Sequence, residues 1–160
     1  MSDGKVLAAS HEGAYVIRFE GDVRLTLCTT IDDYFETMYQ DPAFYSVWVD
    51  LCDAEGLDST TLGLLAKLAL TVKERFGFQP AIYSCNAGIN RLVKSMGFQR
   101  LFELHEEVCD NPEDVAAVPV VSGTEDETKR KVIEAHRILM GLNATNRARF
   151  KDLLAALEGG

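Results

Sequence analysis

Apolar residues recur along this chain with two different periods. Residues 5–9 and 15–19 form short runs around His11-Glu12-Gly13, the pattern of two strands joined by a turn. Glu20-Gly21-Asp22 ends the second run. Ile31, Phe35, Met38 and Tyr39 then return at helical spacing. Thr29 or Thr30 is the expected cap, with Asp32 and Asp33 in the first turn, where acids suit the helix dipole. Asp41-Pro42 stops this helix. Residues 47–51 predict a buried strand, 52–58 a loop, and 60–76 a long helix with Leu62, Leu65, Leu68, Ala69 and Val72 inward. Gly77 is placed to close it. Residues 79–85 read as a strand, Asn86 as the cap of a helix running to Met96 and Gly97, and 101–104 as the last strand.

From Val47 onward strands and helices alternate through short connections. The prediction is therefore an α/β domain, a mixed but mostly parallel sheet covered by helices. Asp110-Asn111-Pro112 is suited to start a short helix, with the proline near its first position. Residues 118–123 read as a linker. After it, Thr124 with Glu127 three residues on is a capping-box signal. Val132, Ile133, His136, Leu139 and Met140 form one apolar stripe, and Phe150, Leu153, Leu154 and Leu157 a second, with a break over residues 141–145. Such a helix pair cannot bury its stripe alone, so it must pack on the domain or on a partner. The expected division is a domain over residues 1–121 and a two-helix extension over 122–160.

The chain has 160 residues, 47% of them apolar, which allows one domain with a real core and a small extension. Its 25 acidic and 16 basic residues give a net charge of −9, which argues against nucleic acid and anionic membrane surfaces as partners. The charge is unevenly spread. Residues 20–58 carry ten acids and one base, Arg24; residues 59–100 carry six bases and one acid, Glu74; residues 101–121 carry six acids and no base. The sign thus changes at Asp58-Ser59. No secretory leader and no membrane span are expected, which makes the cytoplasm the default compartment. Cys28, Cys52, Cys85 and Cys109 form no C-x-x-C pair and read as buried free thiols. The three histidines lack ligand spacing, and no phosphate-loop, dinucleotide or nucleophile-elbow motif occurs. No cofactor, no metal and no catalytic residue is expected.

Chemistry concentrates in Asp58-Ser59-Thr60-Thr61-Leu62-Gly63, between a loop and the long helix. Asp-Ser-Thr is good capping chemistry, which accounts for it in structural terms. A hydroxyl at a helix N-terminus also meets free backbone N–H groups and the positive end of the dipole. A phosphate there would add −1.5 to −2 charges beside Asp58. Ser59 is thus a switch residue in expectation, whereas Thr60 and Thr61 lie inside the first turn.

These residues carry a resemblance. Residues 16–23 with their acidic turn, residues 47–51, the segment Asp58-Ser59-Thr60-Thr61-Leu62-Gly63 and residues 90–102 are together similar to the STAS domain of bacterial anti-sigma factor antagonists. The likeness spans about residues 5–118 and implies a STAS-like fold. In that family the serine after the aspartate, here Ser59, is phosphorylated by a serine kinase and dephosphorylated by a PP2C-type phosphatase. The unphosphorylated form binds an anti-sigma factor and frees the sigma factor; phosphorylation breaks that binding. The family's acidic positions map to Asp22 and Asp58, with Asp50 at the end of the central strand. Thr60, Thr61 and Gly63 complete the surround. Two positions depart from the pattern: Arg24 stands where an acid is frequent, and Thr61 where glycine commonly precedes Leu-Gly. The helical tail resembles the subgroup typified by the antagonist HsbA, which implies control of motility and surface growth.

Two other classes compete. A phosphate-accepting receiver domain needs clustered strand-end acids and a lysine after the last strand; Asp50 and Asp53 fit the first requirement, but His105-Glu106-Glu107 follows the last strand. A STAS module that is never phosphorylated would scaffold partners or sense a ligand. The expectation for the chain is a binding protein rather than an enzyme.

Overall fold

The computed structural model describes residues 2–109 and 115–159. The short helix expected at Asp110-Asn111-Pro112 lies outside the described residues. β1 (Lys5–His11) and β2 (Ala14–Val23) pair antiparallel, from Lys5 opposite Glu20 to His11 opposite Ala14. Their turn takes positive φ at Glu12 (50°) and Gly13 (91°), the left-handed pair that a two-residue hairpin requires. A Cβ at Gly13 would stand 1.8 Å from the Ala43 carbonyl oxygen, so space demands glycine there as well.

α1 (Cys28–Tyr39), β3 (Ser46–Asp50), β4 (Ala54–Leu57), α2 (Ser59–Phe76), β5 (Ala81–Tyr83), α3 (Ala87–Ser95) and β6 (Glu103–His105) follow, then the two-residue β7 (Ala116–Ala117). The sheet order is β6-β5-β3-β2-β1-β7, with β4 pairing the end of β2 after a register shift at Gly21-Asp22. β2–β3, β2–β4, β3–β5 and β5–β6 are parallel; β1–β2 and β1–β7 are antiparallel. The sheet is mixed and mostly parallel, as the strand–helix alternation predicts.

The core forms where the sheet meets the helices. Ile17, Phe19, Val49, Leu51, Leu65, Leu68, Val72 and Phe98 are all 0% exposed. Burying an aliphatic or phenyl side chain of this kind contributes roughly 1.5–3 kcal/mol each. A second aromatic group, Tyr15, Tyr39, Phe44 and Phe76, meets at ring separations of 4.9–6.2 Å.

α2 ends at Gly77 in the left-handed conformation (φ 77°), with its N–H bonded to the Val72 and Lys73 carbonyls. Asn86 caps α3 through the amides of Gly88 and Ile89. The expected strand over 79–85 is shorter because Pro80, having no N–H, precedes the pairing. The strand expected at 101–104 slides to β6 because Phe98–Arg100 forms a 3-10 turn. The loop expected over 52–58 contains β4. Thr29 and Thr30 do not cap α1. The helix starts earlier, after a 3-10 turn at Leu25–Leu27, and the Thr30 hydroxyl instead exchanges hydrogen bonds with the Val121 backbone. Cys28 and Cys109 are buried, but Cys52 is half-buried and Cys85 exposed, so burial does not hold for all four thiols.

The tail folds into α4 (Glu125–Leu142) and α5 (Ala144–Gly159), separated by Asn143 in an extended conformation. The Thr124–Glu127 capping box forms. α4 packs against α2, touches α1 and pairs with α5, whose Asn146 and Phe150 are buried.

Candidate functional site

β4 delivers the chain to the start of α2, and Asp58 organises that start. Its Oδ1 accepts the Thr61 amide at 2.8 Å as the helix N-cap, and its Oδ2 accepts the Leu25 amide at 2.7 Å. One carboxylate thus ties the turn after β2 to the head of α2. Thr61, 1% exposed, donates its hydroxyl to the Val23 carbonyl at 3.2 Å, which gives the threonine at this position a structural use. Thr60 is 2% exposed. Ser59, the first residue of α2, is half-buried.

The Arg24 Nε donates to the Asp22 carboxylate at 2.6 Å. That hydrogen bond, reinforced by the Asp22 and then the Asp58 charge, holds the guanidinium more firmly charged than usual. Asp22, Arg24, Asp58 and Ser59 are therefore assembled around one helix start. Asp50 serves another junction. It is 3% exposed at the end of β3, accepts the Cys52 amide at 3.0 Å and stands 3.4 Å from the Arg18 guanidinium.

The contact that sequence reasoning missed lies above Ser59. His136 of α4, 2% exposed, places Nε2 2.7 Å from the Ser59 hydroxyl, and its Nδ1 is 2.7 Å from the Val132 carbonyl. A carbonyl only accepts, so Nδ1 carries a proton, and in the neutral ring Nε2 accepts from Ser59. One turn further along α2, a Cβ at Gly63 would come within 2.5 Å of the Ala135 Cβ and carbonyl oxygen. Gly63 thus acts as a notch that lets the α4 backbone approach. Another turn on, Lys67 bonds Glu134 at 2.7 Å and Asp32 at 3.1 Å, and Lys131 reaches Asp32 at 2.5 Å. Burial pushes the Asp32 carboxyl up, but the Lys131 hydrogen bond and the Lys67 charge outweigh it and hold it below the usual range. Asn146 of α5, fully buried, donates to the Met96 and Leu139 carbonyls at 2.9 and 3.0 Å.

Among the described residues no group of three or more His, Cys, Asp or Glu is placed to hold a metal ion, and no helix is long and apolar enough to cross a membrane. No protein-family model matches the chain, and no curated protein matches its sequence. Solved structures do match its shape. An anti-sigma factor antagonist from Mycobacterium paratuberculosis superposes with a TM-score of 0.56 at 17% identity, covering 81% of this chain and 94% of the other. The anti-sigma factor antagonist SpoIIAA in its unphosphorylated form superposes with a TM-score of 0.50 at 15% identity, covering 79% of this chain and 94% of the other. The chain therefore has the fold of the anti-sigma factor antagonists, a mostly parallel sheet with helices packed against it.

Proposed function

We propose that the chain is an anti-sigma factor antagonist that binds an anti-sigma factor when Ser59 is unphosphorylated and releases it when Ser59 carries phosphate. The observation that carries this reading is the position of Ser59 as first residue of α2, directly after the Asp58 cap, in a fold shared with anti-sigma factor antagonists. The amides of Ser59 and Thr60, in the first turn, lack an intrahelical acceptor and favour an anion. Asp22 and Asp58 beside them disfavour added negative charge toward a docked partner. A serine kinase and a PP2C-type phosphatase would set the balance. The two-helix tail over residues 122–160 fits the HsbA-type subgroup, with control of motility and surface growth.

Binding of the full-length chain to its anti-sigma factor tests this. Ser59→Ala is expected to bind, and Ser59→Asp to bind at least tenfold more weakly, about 1.4 kcal/mol. Equal binding by the two variants would sink the reading. A second reading is favoured by the Ser59–His136 hydrogen bond, which occupies the hydroxyl. In it the chain is an unphosphorylated interaction module. Intact mass after incubation with the kinase and ATP separates the two, since only the first reading adds a phosphate to Ser59.

A further inference from the structure

The face of α2 that begins at Ser59 is occupied by the protein's own tail. Ser59, Gly63 and Lys67 recur every four residues and so share one face of the helix. All three meet consecutive residues of α4: His136 on Ser59, Ala135 on Gly63, Glu134 on Lys67. We propose that the α4–α5 hairpin is a built-in competitor that covers a docking face, and that the partner for this face is an amphipathic helix with the same three features. Such a helix presents a small residue to the Gly63 notch, an acidic residue to Lys67 and a hydrogen-bond acceptor to Ser59. The proposal rests on the reading of the α2 start as a partner-binding surface.

Two observations argue that the hairpin is separable from the body. Its contacts with α1, α2 and Met96 are rich in polar pairs: Ser59–His136, Lys67–Glu134, Lys131–Asp32 and Asn146–Met96. Leu139 and Phe150 of the hairpin join the apolar core, so these polar pairs alternate with apolar contacts across the same interface. Mixed polarity of this kind marks interfaces that form and part, rather than domain interiors. One edge of the hairpin is also open to solvent. A cleft of about 500 Å³ lies between α1, α4 and the preceding segment, lined by Asp32, Lys67, Ser122, Arg130 and Lys131. Water entering there solvates the ion network as the hairpin lifts.

The test uses the full chain. Hydrogen exchange of the wild type is expected to show the amides of α4 and α5 exchanging as one group, at least tenfold faster than those of β2 and β3. Equal protection overturns the proposal, because the hairpin would then be part of the core. Ala135→Glu on α4 leaves the α2 face intact and wedges the hairpin away from Gly63. A labelled peptide of residues 124–159 is expected to bind Ala135→Glu at least tenfold more tightly than wild type. Equal binding, or none to either, overturns the proposal. Light scattering is expected to give a monomer; a dimer held by exchanged hairpins overturns the cis assignment. Should Ala135→Glu fail to fold, the wild-type exchange pattern decides alone. None of these readouts involves phosphate, so they can fail while the Ser59 switch stands, and the reverse.

Discussion

At the scale of single residues, Asp58 and Ser59 divide work that a capping motif would assign to one position. Asp58 is the cap, which leaves the Ser59 hydroxyl for another partner, and His136 takes it. The buried imidazole depends on that hydroxyl. Ser59→Ala is expected to destabilise the fold by about 1–3 kcal/mol, the cost of leaving a buried acceptor unpaired. Urea denaturation measures it. Pairing it with His136→Leu should recover part of the loss, since both polar partners are then gone. Purely additive losses would show that the bond contributes nothing. The Ser59–His136 contact was beyond reach of the sequence for a specific reason. His136 sits on an apolar helical stripe, which reads as packing, and its partner lies 77 residues away. Asp58 as cap, by contrast, is a local matter of three residues and was open to inspection.

Elements show the same division between local and distant causes. The two-strand turn, Gly77, the Asn86 cap and the Thr124 capping box follow from residues within a few positions of each other, and all are present. β4 has the run Ala54-Glu55-Gly56-Leu57, with no β-branched or aromatic residue. It pairs because β2 bends at Gly21 and offers its edge there, which no property of the segment itself announces. Thr29 and Thr30 look like caps because nothing nearby reveals that residue 121 returns to claim Thr30. Within the tail, the capping box stabilises the start of α4 through its own residues. Thr124→Ala is expected to cost about 1 kcal/mol. The loss should appear as faster amide exchange in α4 and α5, with β2 and β3 unchanged. A uniform change across the chain would mean that the tail and sheet unfold only together.

For the whole molecule, Asp32 is the junction where α1, α2 and α4 meet. An unfolded aspartate titrates near about pH 3.9, and the lysines hold Asp32 lower in the fold. Its stabilisation is therefore complete above that unfolded value and lost as pH falls through the folded one. Acidification is expected to release the helical tail before it disrupts the sheet. Helical circular dichroism should fall ahead of any change in Trp48, which sits in β3. Asp32→Asn should bring the two transitions together, and coincident transitions in the wild type would contradict the expectation. The segment leading to the tail adds a last consequence. Val118 donates to the Val6 carbonyl at 2.9 Å, and Val121 exchanges hydrogen bonds with Thr30, so a lifted hairpin stays anchored four residues before α4 begins at Glu125. So short a tether keeps the local concentration of α4 on the order of millimolar. Where that concentration exceeds the hairpin's dissociation constant in trans by about a hundredfold, only about one molecule in a hundred is open. A partner's apparent affinity is then about a hundredfold weaker than its intrinsic one. The tail would set the threshold of partner abundance at which the protein responds.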